Sequence, residues 1–152
     1  MPELLTKNFG NVSFEPESEL LFTAGLPGFE DRTRFVALAF AETSPLVYLQ
    51  SLEDPALCFL TLPILAADPA YRLSICAEDL AELGLAVSRQ PVIGEDVLCL
   101  AVLSLRESGP TANLLAPVVV NLKTRRAVQS LSLESGYSLQ FALMPQEVPV
   151  CS

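Results

Sequence analysis

The feature that most constrains this chain is the length of its apolar segments, which are short and repeatedly cut by Pro, Gly, Asn and Asp. A run of five to ten residues bounded by turn formers suits a strand far better than a helix. Strands are expected at Phe35 to Phe40, Pro45 to Ser51 and Leu57 to Leu62, with Glu53-Asp54-Pro55 turning the last pair. Glu95 to Leu105 is apolar on both faces and should be a central strand. Thr6 to Phe14 reads as a hairpin around Phe9-Gly10-Asn11, and Leu114 to Val120 pairs naturally with Ala127 to Leu133 across the basic tip Lys123, Arg125, Arg126. Tyr137 to Leu143 supplies a last strand. Leu20 to Phe29, carrying Gly25, Pro27 and Gly28, reads as an ordered loop behind the acidic stretch Glu15 to Glu19. One helix is expected at Ala77 to Leu83, with Glu78 and Asp79 at the positive end of its dipole and Gly84 as its C-cap. The sum is a mainly β, single-domain, antiparallel protein of about nine short strands and one or two short helices, built as a β-barrel-like fold, a curled sheet or a sandwich. The β domain is expected to span 1–143, and Met144 to Ser152, with Pro145 and Pro149, to be a frayed tail.

The chain's 152 residues fit one core, and with 51% apolar and 18% charged residues it should fold unaided. No apolar run reaches the roughly 20 residues a bilayer crossing needs, and Met1 to Lys7 lacks the basic and apolar regions of a secretory signal. A cytoplasmic, membrane-free protein is expected. The net charge of -9 repels nucleic acid at long range and favours encounter with a basic partner.

Chemistry is narrowed by what the sequence lacks. There is no histidine, hence no commonest general base and no usual zinc or iron ligand. Cys58, Cys76, Cys99 and Cys151 form no close pair, and Cys58 and Cys99 sit in apolar runs as small hydrophobes. Gly25-Leu26-Pro27-Gly28 is not followed by the Lys-Ser/Thr of a phosphate loop. No cofactor is implied. Two adjacent acid pairs, Glu53-Asp54 and Glu95-Asp96, keep a carboxylate-based hydrolase in view, although neighbours in a strand point to opposite faces. A small-ligand-binding β-barrel is a further alternative.

Several of these segments recur in order in a known family: Thr6-Lys7-Asn8-Phe9-Gly10, Gly25-Leu26-Pro27-Gly28-Phe29-Glu30, and Tyr48-Leu49-Gln50-Ser51-Leu52-Glu53-Asp54-Pro55. Glu78 to Gly84, Asn113 to Asn121 and Gln129 continue the pattern, so that it covers about Thr6 to Phe141. The chain resembles the flagellar assembly factor FliW family. It departs from the family where Phe22-Thr23-Ala24-Gly25 replaces Phe-Pro-Glu-Gly and where Gln140-Phe141 replaces an Arg-His pair. The resemblance implies a non-catalytic β-barrel-like protein, monomeric when free. Such a protein binds cytosolic flagellin as a chaperone-like partner. Once flagellin is exported it binds CsrA, a small basic dimeric RNA-binding repressor, and antagonises it allosterically, so that flagellin translation resumes.

The residues expected to meet partners are Leu26, Phe29 and Glu30 beside the Pro-Gly turn, Glu53 and Asp54, and Asn113 and Asn121. Each also has a purely structural reading. Phe29 can plug a loop, Glu53 and Asp54 can cap a turn, and the two asparagines can secure backbone at strand ends.

Overall fold

A computed structural model describes residues 3–7, 9–134 and 136–143. The expected tail from Met144 to Ser152, and with it Cys151, lies outside them. The strands in chain order are β1 (Glu3–Thr6), β2 (Gly10–Ser13), β3 (Glu19–Phe22), β4 (Arg34–Leu38), β5 (Val47–Ser51), β6 (Cys58–Pro63), β7 (Val97–Arg106), β8 (Gly109–Ala112), β9 (Val118–Asn121), β10 (Arg126–Gln129) and β11 (Phe141–Ala142). Two helices, α1 (Ile64–Ala67) and α2 (Ala77–Leu83), lie between β6 and β7. No helix among the described residues is long and apolar enough to cross a membrane.

Seven strands close on themselves in the order β7-β6-β5-β4-β3-β10-β9, and β9 pairs back onto β7. The pairings are antiparallel except β3 with β10, which run parallel, Leu21 opposite Arg126. The antiparallel barrel-like expectation therefore stands with one parallel seam. β1 and β2 form a separate hairpin, and β11 joins β8 outside the closed ring.

The two-residue period of the strands sorts their side chains into two cores. Leu98, Leu100 and Val102 of β7, Val118 and Val120 of β9, Ala127, Leu20, Phe22, Phe35 and Leu49 fill the inside of the barrel. Val97, Cys99, Ala101, Val119 and Val128 face outward from the same wall. They are covered by Ile64, Tyr71, Ile75, Leu80 and Leu83 from α1, α2 and the chain between them. β7 is apolar on both faces because each face has its own core. Tight filling of the interior by Phe22, Phe35, Leu49 and Leu100, each fully buried, argues against the ligand-barrel alternative.

Several expectations are corrected. Glu19 to Phe22 is a strand rather than the start of a loop: Leu20 and Phe22 are buried inside and their backbone is shared between β4 and β10. β8 was hidden by Gly109-Pro110, which reads as a turn but lies on the ladder opposite Leu105 and Arg106. The strand expected over Leu114 to Val120 begins only at Val118, and that over Ala127 to Leu133 ends at Gln129. Beyond β10 the alternation is inverted, with Ser130 buried and Leu131 and Leu133 in solvent. The last strand is only Phe141–Ala142.

Helix α2 has the expected bounds. Gly84 takes the left-handed φ of 77° at its end, where its N–H reaches back to the carbonyls of Ala81 and Leu80. Leu80 and Leu83 pin it to the outer core.

Candidate interaction surface

One group of acidic side chains gathers at the end of the barrel where the β3–β4 loop meets the β5–β6 turn and α2. Phe22 leaves β3 and the chain folds back at once, the Gly25 amide donating to the Phe22 carbonyl at 2.9 Å. Gly25 adopts a φ of +68°, and a Cβ there would stand 2.5 Å from the Glu30 Cα, so only glycine allows the two sides of the loop to touch. Leu26 is buried, 3% exposed, and anchors the loop to the inner core. Phe29 sits edge-on against Phe59 at 5.4 Å and is still 38% exposed, so it plugs the loop and presents a face to solvent at once. Glu30 and Asp31 follow in solvent. Glu30 is oriented by the Gly28 amide, which donates to its Oε2 at 3.1 Å.

The β5–β6 turn is tied to this loop. Glu53 Oε1 accepts from the Thr33 amide at 2.8 Å, and Arg32 lies between Asp31 at 2.6 Å and Asp54 at 3.8 Å. Ser51 Oγ accepts from the amides of Glu53 and Asp54, and Asp54 Oδ1 from that of Ala56. Arg34 pairs with Glu19 at 2.6 Å, which with burial opposing holds its guanidinium above its ordinary pKa.

On the other side of the loop lies an open groove of about 410 Å³, lined by Gly25, Pro27, Glu30, Glu78, Asp79, Glu82 and Gln129 among others. It carries four carboxylates and no basic side chain. The barrel holds its helical wall: Thr23 donates to Glu82, and Ser130 Oγ to Asp79 Oδ2 at 2.7 Å. Sequence reasoning assigned Glu78 and Asp79 to the helix dipole and did not single out Glu82, Thr23 or Ser130. The available signal was the i, i+4 spacing of Glu78 and Glu82, which places both on one helix face.

Five of the expected contact residues, Leu26, Phe29, Glu30, Glu53 and Asp54, thus come together. The asparagines stand apart from them. Asn113 Oδ1 accepts from the amides of Leu115 and Ala116, and the Ala116 carbonyl accepts from Gln129 of the groove. Asn121, 3% exposed, donates to the Leu83 carbonyl at 2.8 Å and accepts from the amides of Lys123 and Thr124. A buried side chain with both ends occupied acts on a surface only through what it holds, here the far end of α2.

The Glu95-Asp96 pair lies at the opposite end of the barrel from Glu53-Asp54, since β7 starts where β6 ends. Asp96 Oδ2 accepts from the Val92 amide at 2.8 Å and from Arg89 at 3.2 Å; these bonds hold the carboxyl below its usual range. The two pairs do not converge on one cleft. Cys99, inside the outer core, is pushed up to about 12 by burial, and burial likewise raises Cys58. Among the described residues no group of three or more His, Cys, Asp or Glu is placed to hold a metal ion. Lys123, Arg125 and Arg126 form the β9–β10 tip, at the end away from the acidic loops.

A filled barrel with a carboxylate-lined groove and a rim of exposed aromatic and acidic side chains defines a protein of the small closed β-barrel class. The FliW protein family model matches residues 3–143. Flagellar assembly factor FliW of Syntrophomonas wolfei is 31% identical over 140 residues, covering 90% of this chain and 85% of that protein. Its counterpart in Pseudothermotoga lettingae is 34% identical, covering 86% and 81%. The one in Bacillus licheniformis is 33% identical, covering 87% and 90%. A crystal structure of the flagellar assembly factor FliW superposes with a TM-score of 0.81 at 29% identity, over 97% of this chain and all of that one. The chain belongs to the FliW family.

Proposed function

We propose that this protein is a cytoplasmic flagellar assembly factor that works by exchanging protein partners and catalyses no reaction. Free of flagellin, it binds a basic RNA-binding repressor of the CsrA type and relieves repression of flagellin translation. Bound to flagellin, it acts as a chaperone-like holder. Family membership along the whole described chain supports the role, and the observation that carries the mode of action is the acidic end. There a groove with four carboxylates, Glu30 among them, and no basic lining residue adjoins the exposed Phe29 and Glu53 and the half-buried Asp54. A surface of net negative charge, on which Arg32 is already paired with Asp31 and Asp54, attracts a basic protein from a distance and orients its approach, while a half-exposed aromatic at its centre supplies the buried contact.

The test is co-elution. Purified protein mixed at micromolar concentration with flagellin, or with the CsrA-type repressor of the same cell, should elute as a complex on a sizing column. Absence of a complex with either partner overturns the proposal. Reversing Glu53 and Asp54 to lysine should slow association with the repressor at low salt, and an unchanged on-rate would remove these residues from the interface.

A further inference from the structure

Gln50 of β5 is fully buried, 0% exposed, on the face of the strand opposite Leu49. Its Nε2 lies 3.1 Å from the Ser51 carbonyl, 3.1 Å from Leu57, 3.3 Å from Pro55 and 3.4 Å from Asp54. An amide nitrogen has two hydrogens, so four carbonyls converge on one donor group. Three of them belong to the β5–β6 turn and Ser51 is the last residue of β5 before it. The Pro55 carbonyl also accepts from the Lys7 amide at 2.9 Å, which joins the hairpin β1–β2 to the same point. Among the described residues the other end of the side chain, Oε1, meets no hydrogen-bond donor. A connection between two antiparallel strands does not need such an arrangement, because turns close on their own backbone and on Asp or Ser side chains. Ser51 and Asp54 already provide those bonds. The bonds from Gln50 therefore hold the turn from inside, over and above those that close it.

We propose that Gln50 is the positioning residue of the acidic surface: by gathering the turn carbonyls from inside, it fixes the directions of Glu53 and Asp54 and thereby the lifetime of the complex with a basic partner. The proposal rests on the reading that this surface meets such a partner. The fixed turn extends its effect to the neighbouring loop, because Glu53 receives the Thr33 amide and Asp54 faces Arg32. Gln50 does not touch the partner.

Pre-organisation and charge leave different kinetic traces. Surface charge sets the on-rate and its salt dependence, whereas loss of pre-organisation shortens the bound lifetime. Gln50→Met keeps the bulk of the side chain and all surface charges but removes the donor. Against immobilised CsrA-type repressor, this variant should dissociate about tenfold faster with an unchanged on-rate and salt slope. The Glu53→Lys/Asp54→Lys variant should instead associate more slowly. A residue needed only for stability would lower the active fraction and leave both rate constants of the folded molecules as in the parent. An unchanged dissociation rate for Gln50→Met, with slowed association for the charge reversal, overturns the inference and leaves the binding surface standing. An unchanged on-rate for the charge reversal removes the surface, and the role of Gln50 with it. If Gln50→Met does not fold, the parent protein decides: the side-chain amide protons of Gln50 should exchange slowly in the free protein and keep their positions when the repressor is added, because a turn fixed beforehand does not rearrange, and signals that exchange fast or move on binding overturn the proposal.

Discussion

The two walls of the barrel are built differently. On one side, β7, β9 and β10 are buried on both faces, Leu100, Val118 and Val120 pointing inward while Cys99, Val119 and Val128 meet α1 and α2. On the other, β3 to β6 bury the inner face, and outside, among the described residues, β3 to β5 meet the hairpin β1–β2, through Phe9 against Tyr48 at 5.0 Å, and solvent, as at Leu21. The thick wall provides rigidity and the thin wall ends in the loops that present charge. The groove lies where they meet, one side from α2 on the thick wall and the other from the β3–β4 loop on the thin one. The proposed contact residues sit in the loops of the less supported strands, and extra polar bonds from Gln50, Ser51 and Glu53 take the place of a second core there.

The hardest test of this comparison is to empty the interior that both walls share. Phe22 is fully buried and stacks edge-on with Phe35 at 5.2 Å. Phe22→Ala should destabilise the whole protein by about 3–5 kcal/mol, seen as a single displaced urea transition. A loss below about 1 kcal/mol would show that the inner core repacks and that the thin wall carries little of the fold. The next effect is expected from Leu80→Ala in the outer core, at the lower end of about 2–5 kcal/mol, because a helix at the surface can settle into the space left behind. Hydrogen exchange distinguishes the two: amides of α2 should exchange faster in this variant while those of β4 and β5 keep their protection. Equal acceleration throughout would mean that the walls unfold as one unit.

How far the sequence revealed this division follows from the range of each interaction. Helix α2 was legible to its last residue because Glu78, Asp79 and Gly84 are local signals. The doubly buried β7 was legible because both cores write apolar residues into one run. β3 was missed because three residues, Leu20 to Phe22, between acids and a glycine-rich loop cannot be told from loop until their partners β4 and β10 are known. The loop residues Phe29, Glu30, Glu53 and Asp54 were visible as turn chemistry, but not that they adjoin α2. Thr23 and Glu82 are separated by 59 positions, and Ser130 and Asp79 by 51, distances over which no periodicity speaks. Nor could the sequence show that Asn121 is an internal clamp rather than a surface contact, since burial by a helix 38 positions away decides it.

Asn121 is also the polar bond between β9, the middle strand of the thick wall, and α2. Asn121→Ala leaves the Leu83 carbonyl and the amides of Lys123 and Thr124 without their partner. The expected cost is about 1–3 kcal/mol, below the core variants, and it should be accompanied by fraying at the C-terminal end of α2. Equal protection of the Leu83 and Leu85 amides in parent and variant would show that Gly84 alone secures that end.

The smallest expected effect concerns Asp96, at the entry to β7, the strand that belongs to both cores. Its carboxylate accepts from the Val92 amide and from Arg89, and these bonds hold its pKa below the ordinary value. A group whose folded pKa is depressed binds its proton more weakly in the native state than in the unfolded one. Its stabilisation is therefore present above the unfolded carboxylate pKa, about 4, and is lost as pH falls through the lower folded value. Asp96→Asn keeps an acceptor of the same shape and removes the charge. The gap in urea midpoint between parent and variant should be small but resolved at pH 7, and should shrink steadily as pH falls below about 4. The site is open to solvent, so added salt should also narrow the gap at pH 7. A gap that holds its size at low pH would assign the contribution of Asp96 to the shape of the Val92 turn, leaving its charge without a part in how β7 enters the barrel.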